Sequence, residues 1–296
     1  SLNIGYGRTG GVNGVEVSGL IGVNQGVANG LQVNGLLSIV HKVNGIQVNG
    51  LAGGADAVYG LQVNGLGGVV ADFKGIQING LLGLTNKFTG VQLSTVNIAN
   101  KVSGLQLGVV NINRETRGLQ IGIVNINRDK MDGLPIGLVN IAKYNRYSQW
   151  ELFSSDIVNI GASYKLGTRK FYNIYSIGYN FFEDQLFSAG FGFGSNWTID
   201  KNNKYQFQPE LVNYTYFPTD FEDMRYTSAT QLKLGFVRSF GKVGIFFAPS
   251  IYLSVMDKKE GVYGYKISPI KAFPTKENSG NKIAVGLGYT FGINLR

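Results

Sequence analysis

The sequence predicts an all-β fold whose first half is a single phrase repeated. Three observations carry the prediction. Gly-Leu-Gln or a near variant recurs at Gly30, Gly45, Gly60, Gly75, Gly90, Gly104 and Gly118, with degenerate copies at Gly14 and Gly133, so successive starts lie 14 to 16 residues apart. Within a copy, Val, Ile and Leu alternate with Gly, Gln and Asn, a period of two that no helix produces. Past residue 147, long alternating segments continue between polar loops.

The repeat comes first. In one copy Thr89, Val91, Leu93 and Thr95 fall on one face, and Phe88, Gly90, Gln92 and Ser94 on the other. Charges gather between the phrases, at Lys42, Asp56, Asp72, Lys74, Lys87 and Lys101, then in Arg114-Glu115-Thr116-Arg117 and Arg128-Asp129-Lys130. Each unit therefore reads as a strand of roughly 10–12 residues and a tight turn of roughly 3–5. Two architectures obey that rule. In one, each unit is a coil of a parallel β-solenoid, and Gln32, Gln47, Gln62, Gln77, Gln92, Gln106 and Gln120 stack as an amide ladder. In the other, each unit is a strand of an antiparallel meander that closes into a barrel. There the same glutamines line the lumen with Asn34, Asn49, Asn64 and Asn79. Val110, Ile112, Val124 and Ile126 of later copies share that face unless a bulge shifts the register.

Composition narrows the function classes. Of 296 residues 43 are glycine and only 15% are charged, and no long apolar run offers a helical membrane span. A membrane barrel stays open, because its alternating strands average to neutral hydropathy. No secretory signal is visible at Ser1, which implies the mature form if the protein is exported. The net charge of +9 is scattered through the turns, which suits anionic lipid phosphates rather than nucleic acid. With no cysteine and one histidine, His41 beside Lys42, metal sites built on those ligands are excluded by count. His41 reads as a surface turn residue rather than the base of a Ser-His-Asp triad. The acidic clusters Glu183-Asp184 and Asp220-Phe221-Glu222-Asp223 lack the spacing of a Ca²⁺ loop and read as solvated loops. Gly190-Phe191-Gly192-Phe193-Gly194 has no helix after it to complete a phosphate site. Its glycines read as small residues on the non-lipid face of a strand.

Aromatic residues mark the second half. Only Tyr6, Tyr59, Phe73 and Phe88 precede residue 140 in a chain with 18 Phe, 16 Tyr and 2 Trp. Strand candidates lie near 150–166, 171–182, 186–197, 205–216, 227–240, 242–256 and 282–295. Val243, Ile245, Phe247, Pro249, Ile251, Leu253 and Val255 share one face, and Ile283, Val285, Leu287, Tyr289, Phe291, Ile293 and Leu295 form a second apolar stripe. Strands of this length cover the roughly 9–11 residues that cross a bilayer at a tilt.

The closing segment, Gly286-Leu287-Gly288-Tyr289-Thr290-Phe291-Gly292-Ile293-Asn294-Leu295, resembles the C-terminal strand of Gram-negative outer-membrane β-barrels, which the barrel-assembly machinery reads. Arg296 ends the chain where that class carries an aromatic residue. The phrase Gly-Leu-Gln-Ile-Gly-Ile-Val-Asn at 118–125 is similar to the surface-repeat outer-membrane proteins of Bacteroidetes and spirochaetes. The resemblance implies a place in the bacterial outer membrane and implies no activity.

Nine repeat strands and seven later ones make about 16, an even number as single-chain bacterial barrels prefer. The leading expectation is therefore one antiparallel transmembrane β-barrel over 1–296, with glycine-rich repeats in 1–147 and aromatic-rich strands and loops in 148–296. The alternative is a parallel β-solenoid followed by an 8-stranded barrel whose eighth strand comes from the last repeat. The expected function is non-enzymatic, a structural or partner-binding component of an envelope complex, since a self-similar wall creates no unique constellation of groups. The alternatives are a passive pore for small solutes and an outer-membrane hydrolase. Expected partners are outer-membrane lipid and lipopolysaccharide and other outer-membrane proteins or lipoproteins, with no nucleic acid, cofactor or metal. A basic stretch from Asp257 to Lys282, with Lys258, Lys259, Tyr263, Tyr265, Lys266, Lys271 and Phe273, is the candidate partner loop.

Overall fold

The computed structural model describes residues 2–144, 146–182, 184–219, 227–259, 262–263, 267–268 and 281–296, of which 257–259, 262, 263 and 281 by backbone alone. Among them all regular secondary structure is β-strand, in two compact units, Ser1–Asn145 and Arg146–Arg296. The expected 16-stranded barrel is not what forms. The repeats make a parallel β-solenoid-like sheet, and the second half closes into an antiparallel barrel of eight strands.

Stacking of identical residues decides the first unit. Leu37–Asn49, Ala52–Asn64 and Gly67–Asn79 are each one coil, paired in parallel with the next. The register sets Gly45 against Gly60, Gln47 against Gln62 and Asn49 against Asn64. A meander of spanning strands would have reversed every second copy. Glycine prevents that by bending each strand inside its own unit. Gly75 has φ 131° and a Cβ there would lie 1.9 Å from the carbonyl oxygen of Gly60, so a left-handed corner and a close backbone approach exclude any other residue. The same conformation recurs at Gly30, Gly45, Gly60, Gly90, Gly104 and Gly118. At the other corner Leu51 N–H donates to Leu36 C=O at 2.8 Å, and Leu66 N–H to Leu51 C=O at 2.7 Å, which returns the chain to the next coil.

The inside of a coil is set by these two corners. Ser38, Val40, Val43, Gln47 and Asn49 are buried, while Leu37, Ile39, Ile46 and Leu51 face out. The inward set changes from even to odd positions across His41-Lys42, so strict alternation along a whole unit misplaces half of it. Val110, Ile112, Val124 and Ile126 accordingly lie away from the interior, and Asn111, Asn113, Asn125 and Asn127 fill it. Val43, Val58, Phe73, Phe88 and Val102 stack as the apolar part of this core, with the Phe73 and Phe88 rings 5.4 Å apart.

In the second unit we number the barrel strands β1 (Arg146–Ser155), β2 (Ile160–Thr168), β3 (Tyr172–Asn180), β4 (Leu186–Gly194), β5 (Tyr205–Pro218), β6 (Thr227–Phe240), β7 (Val243–Lys259) and β8 (Asn281–Leu295). Each pairs antiparallel with its neighbour, and β8 returns to β1 through Leu152↔Ile293, which closes the barrel. The candidate strand near 150–166 is two strands, β1 and β2. Ser155 makes the turn between them, accepting from Val158 N–H at 2.9 Å on its hydroxyl. The eighth strand is thus β1, and the last repeat stays in the solenoid, with Val139–Ala142 paired to Val124–Asn127.

Alternation in β7 and β8 is as read: Ile245, Phe247, Ile251, Leu287 and Phe291 face out, and Phe246, Ala248 and Tyr252 face in. The glycines of β4 make room inside. A Cβ on Gly190 would meet the Tyr214 ring at 2.7 Å, and one on Gly194 the Tyr172 ring at 2.6 Å.

The corner glycines give the first test. Gly75→Ala forces a backbone conformation worth about 1–3 kcal/mol in strain, before the clash with Gly60 is added. Gly54→Ala, whose Cβ meets nothing nearer than Ser38 C=O at 3.8 Å, is expected to stay within about 0.5 kcal/mol of the parent. Denaturant midpoints of the full chain, followed by circular dichroism, separate the two; equal midpoints contradict the corner.

Candidate functional site

Polar groups converge in two places, one inside each unit. In the solenoid the predicted glutamines form one continuous ladder. Gln47 Nε2 donates to Gln32 Oε1 at 2.7 Å, Gln62 to Gln47 at 2.7 Å, Gln77 to Gln62 at 2.8 Å and Gln92 to Gln77 at 2.7 Å. Gln106 continues to Gln92 at 2.8 Å and Gln120 to Gln106 at 3.3 Å. Glu16, fully buried, caps the ladder by accepting from Gln32 at 2.9 Å. An amide can enter a core only with partners, and in-register stacking supplies one above and one below.

Asparagines run beside it in the opposite sense. Asn34 donates to Asn49 at 2.8 Å, Asn49 to Asn64 and Asn64 to Asn79 at 2.7 Å, and Asn79 to Ser94 at 2.9 Å. There the asparagines change sides. From Ser94 onward that position holds Gly108, Gly122 and Gly137, and a second ladder, Asn97, Asn111, Asn125 and Asn140, opens across the core at 2.8–2.9 Å. The exchange is one of volume. A Cβ on Gly53 would lie 2.4 Å from Asn49 Nδ2, and one on Gly108 lies 2.6 Å from Asn97 Nδ2. At these two facing positions an asparagine on one side leaves room only for a small residue on the other, Gly53 beside Asn49 and Gly108 beside Asn97.

The barrel interior holds a charged quartet. Glu151 on β1, Lys165 on β2, Glu210 on β5 and Lys233 on β6 all point inward and are almost completely buried. Lys165 Nζ meets Glu151 Oε2 at 2.5 Å and also pairs with Glu210. Lys233 Nζ lies 2.9 Å from Glu210 Oε2 and 3.6 Å from Glu151 Oε1. Two cations and two carboxylates alternate, so the group is neutral as a whole, the condition for keeping charges in a low-dielectric interior. Tyr172 O–H donates to Glu210 at 2.7 Å, Gln208 Nε2 donates to Tyr147 Oη at 3.0 Å, and the Phe153 and Phe246 rings lie 5.6 and 5.9 Å from the lysine ammoniums. Because β1–β2 and β5–β6 are opposite walls, these contacts cross the lumen and fill it.

One end of the interior is closed by Asp156, in the β1–β2 turn. Its carboxylate accepts from Tyr289 N–H at 3.1 Å and Ser268 O–H at 3.2 Å. Burial pushes its carboxyl above the ordinary range, and those two hydrogen bonds oppose the rise.

His41 is exposed, with Nδ1 2.7 Å from the equally exposed Asp56. Of the candidate partner loop, the backbone pairs Lys258 with Tyr263 and Lys259 with Val262, while the side chains of Lys258, Lys259 and Tyr263 lie outside the described residues. Tyr265, Lys266, Lys271 and Phe273 lie outside them altogether, as do Glu183, Asp220, Glu222 and Asp223. The quartet is absent from the sequence-based candidates, though a signal was present: Lys165 and Lys233 interrupt alternating strands at inward positions, as in Gln231-Leu232-Lys233-Leu234.

Lys233→Met removes one cation from between two buried carboxylates and is expected to cost about 3–5 kcal/mol. Adding Glu210→Gln to it should recover much of the loss, because the pair acts as a unit. Thermal unfolding of the single and double variants reads this directly; strictly additive losses contradict the quartet. No family model, no curated protein and no solved structure matches the chain.

Proposed function

We propose that the second unit is a transmembrane β-barrel of a bacterial outer membrane, serving as a non-enzymatic anchor that holds the repeat unit in the envelope as a structural or partner-binding component. The observation that carries this reading is the inversion of the barrel. Its outward face is apolar from strand to strand, at Leu152, Ile177, Leu232, Phe236, Phe247 and Leu287, while Glu151, Lys165, Glu210 and Lys233 are inside. In water that arrangement exposes what should be buried. In hydrocarbon it is the favourable one, since a closed barrel leaves no strand edge and no unpaired backbone group facing lipid. Eight is an even strand number at the small end of bacterial barrels, and strands of 9 to 17 residues suffice to cross.

The filled lumen supports anchor over pore. An eight-stranded barrel has an interior just wide enough for side chains, and the quartet with its tyrosines occupies it. The hydrolase alternative draws no support from His41, whose partner is a surface aspartate in the repeat unit. Lipid and lipopolysaccharide contacts follow from the outward belt, and the charged side of the repeat unit, through Lys42, Asp56 and Lys74, is the surface offered to other envelope proteins.

Phe247→Arg and Leu287→Arg are each expected to weaken folding into vesicles by about 2–4 kcal/mol where these positions sit at mid-bilayer. A purified chain that stays dispersed without detergent and tolerates both charges sinks the membrane reading. In planar bilayers the reconstituted protein should give no unitary conductance, and steady single-channel steps would return the pore to first place.

A further inference from the structure

The solenoid, like the barrel, carries many apolar side chains on its outside. Its outward residues are not mixed, however. Leu36, Leu51, Leu66 and Leu81 project from successive corners at 38–55% exposure. The flank after each corner presents Leu37 and Ile39, Val69, Leu82 and Leu84, then Val96 and Ile98. The flank before it presents Leu31 and Val33, Ile46 and Val48, then Ile76 and Ile78. No charged residue falls in this band in any coil from Leu31 to Ile141. The charges between them stand on the third side, the short base that runs through His41, Lys42, Asp56, Lys74, Lys87 and Glu115.

We propose that the solenoid is a lipid-inserting wedge whose corner and both flanks sit among the acyl chains of one leaflet, with the charged base at headgroup level. The proposal rests on the reading of the barrel as membrane-spanning, since the solenoid belongs to the same chain.

Five observations choose lipid over a protein partner. The first is shape. The apolar surface wraps a convex edge, so a second copy or a flat partner covers one flank and leaves the other in water, whereas a fluid hydrocarbon covers both. The second is dimension. His41 lies five positions beyond Leu36, about 16 Å of strand, against about 15 Å for half the hydrocarbon core. Nine corners from Leu20 to Leu138 at about 4.8 Å per coil make an apolar area of roughly 1,200 Å², above the few hundred that a water-facing surface carries. The third is backbone. Corner amides pair from coil to coil, Leu66 to Leu51 at 2.7 Å and Leu81 to Leu66 at 2.8 Å, so hydrocarbon meets satisfied groups there. The fourth is charge. In five successive coils the first charge after the apolar flank is a cation, Lys87, Lys101, Arg114, Arg128 and Lys143, placed to reach anionic headgroup phosphates. A recess of about 550 Å³ in one flank, where Ala52, Gly54 and Gly67 stand between Ile39 and Leu82, suits an acyl chain better than a flat β-face.

The test uses the full chain, which has no cysteine, in vesicles of phosphatidylcholine and phosphatidylglycerol. Single reporters are placed by Leu66→Cys or Leu81→Cys at the corner, Lys74→Cys on the base and Phe247→Cys on the barrel, each labelled with an environment-sensitive fluorophore. Two exposed corner sites guard against one that fails to fold. Corner and barrel labels should be quenched by acyl-chain nitroxide lipid and shielded from aqueous iodide, and the base label should behave oppositely. Iodide quenching at the corner, with the Phe247 label still in lipid, overturns the wedge and leaves the barrel reading standing. A Phe247 label in water overturns both. Corner labels shielded from both quenchers mean that protein covers the edge, which also overturns the proposal.

Discussion

A polar group withdrawn from water must find a partner, and both units of this chain are built around that requirement. In the solenoid the partner is the same residue one coil away. In the barrel it is an opposite charge across the lumen. Each unmet buried partner costs on the order of 1–3 kcal/mol, and more for a charge. The ladder and the quartet are therefore all-or-none structures, which fix register in one unit and the pairing of opposite walls in the other.

With the ladder and the quartet paired inside, the outside is free to be apolar. Backbone pairing is closed in the barrel and continuous from coil to coil in the solenoid. Among the described residues, strand after strand of the barrel and coil after coil of the solenoid complete their main-chain hydrogen bonds with a neighbour along these surfaces. The exposed Leu, Ile, Val and Phe then become the working surface, and the chemistry of the chain lies in its solvent preference rather than in a reactive constellation. Glycine makes the interior tight enough for this. It supplies the left-handed corner at Gly75, the space opposite Asn49 at Gly53, and the space for Tyr172 at Gly194.

Much of this was legible in the sequence. The period, the strand nature of the phrase, the outward stripes of β7 and β8 and the ladder option for Gln32–Gln120 all follow from spacing. What spacing left open was the direction of pairing, because a period near 15 suits a spanning strand with a turn as well as it suits one coil. The deciding signal was the glycine before Leu-Gln, fixed at one place within every unit, where a spanning strand needs no positive φ. The exchange of Asn79 and Gly83 for Gly108 and Asn111 was a second signal, since it makes sense only if those positions face each other inside one coil. The turn at residues 156–159 was missed because Ile157 and Val158 continue the apolar pattern, though both are buried against the barrel interior. The quartet was missed because mid-strand charges are read as solvated until the strand's two faces are told apart.

The most direct measurement is magnetisation transfer in solid-state NMR from lipid acyl-chain protons to methyl-labelled protein in a bilayer. Leu232, Leu234 and Ile251 point out of the barrel, and Ile174 and Val212 point into it. The account predicts strong transfer from lipid to the first three and none directly to the last two. Contact of the outward methyls with water instead, or lipid transfer to Ile174 and Val212, would contradict a barrel that holds its charges inside and turns its apolar belt to lipid.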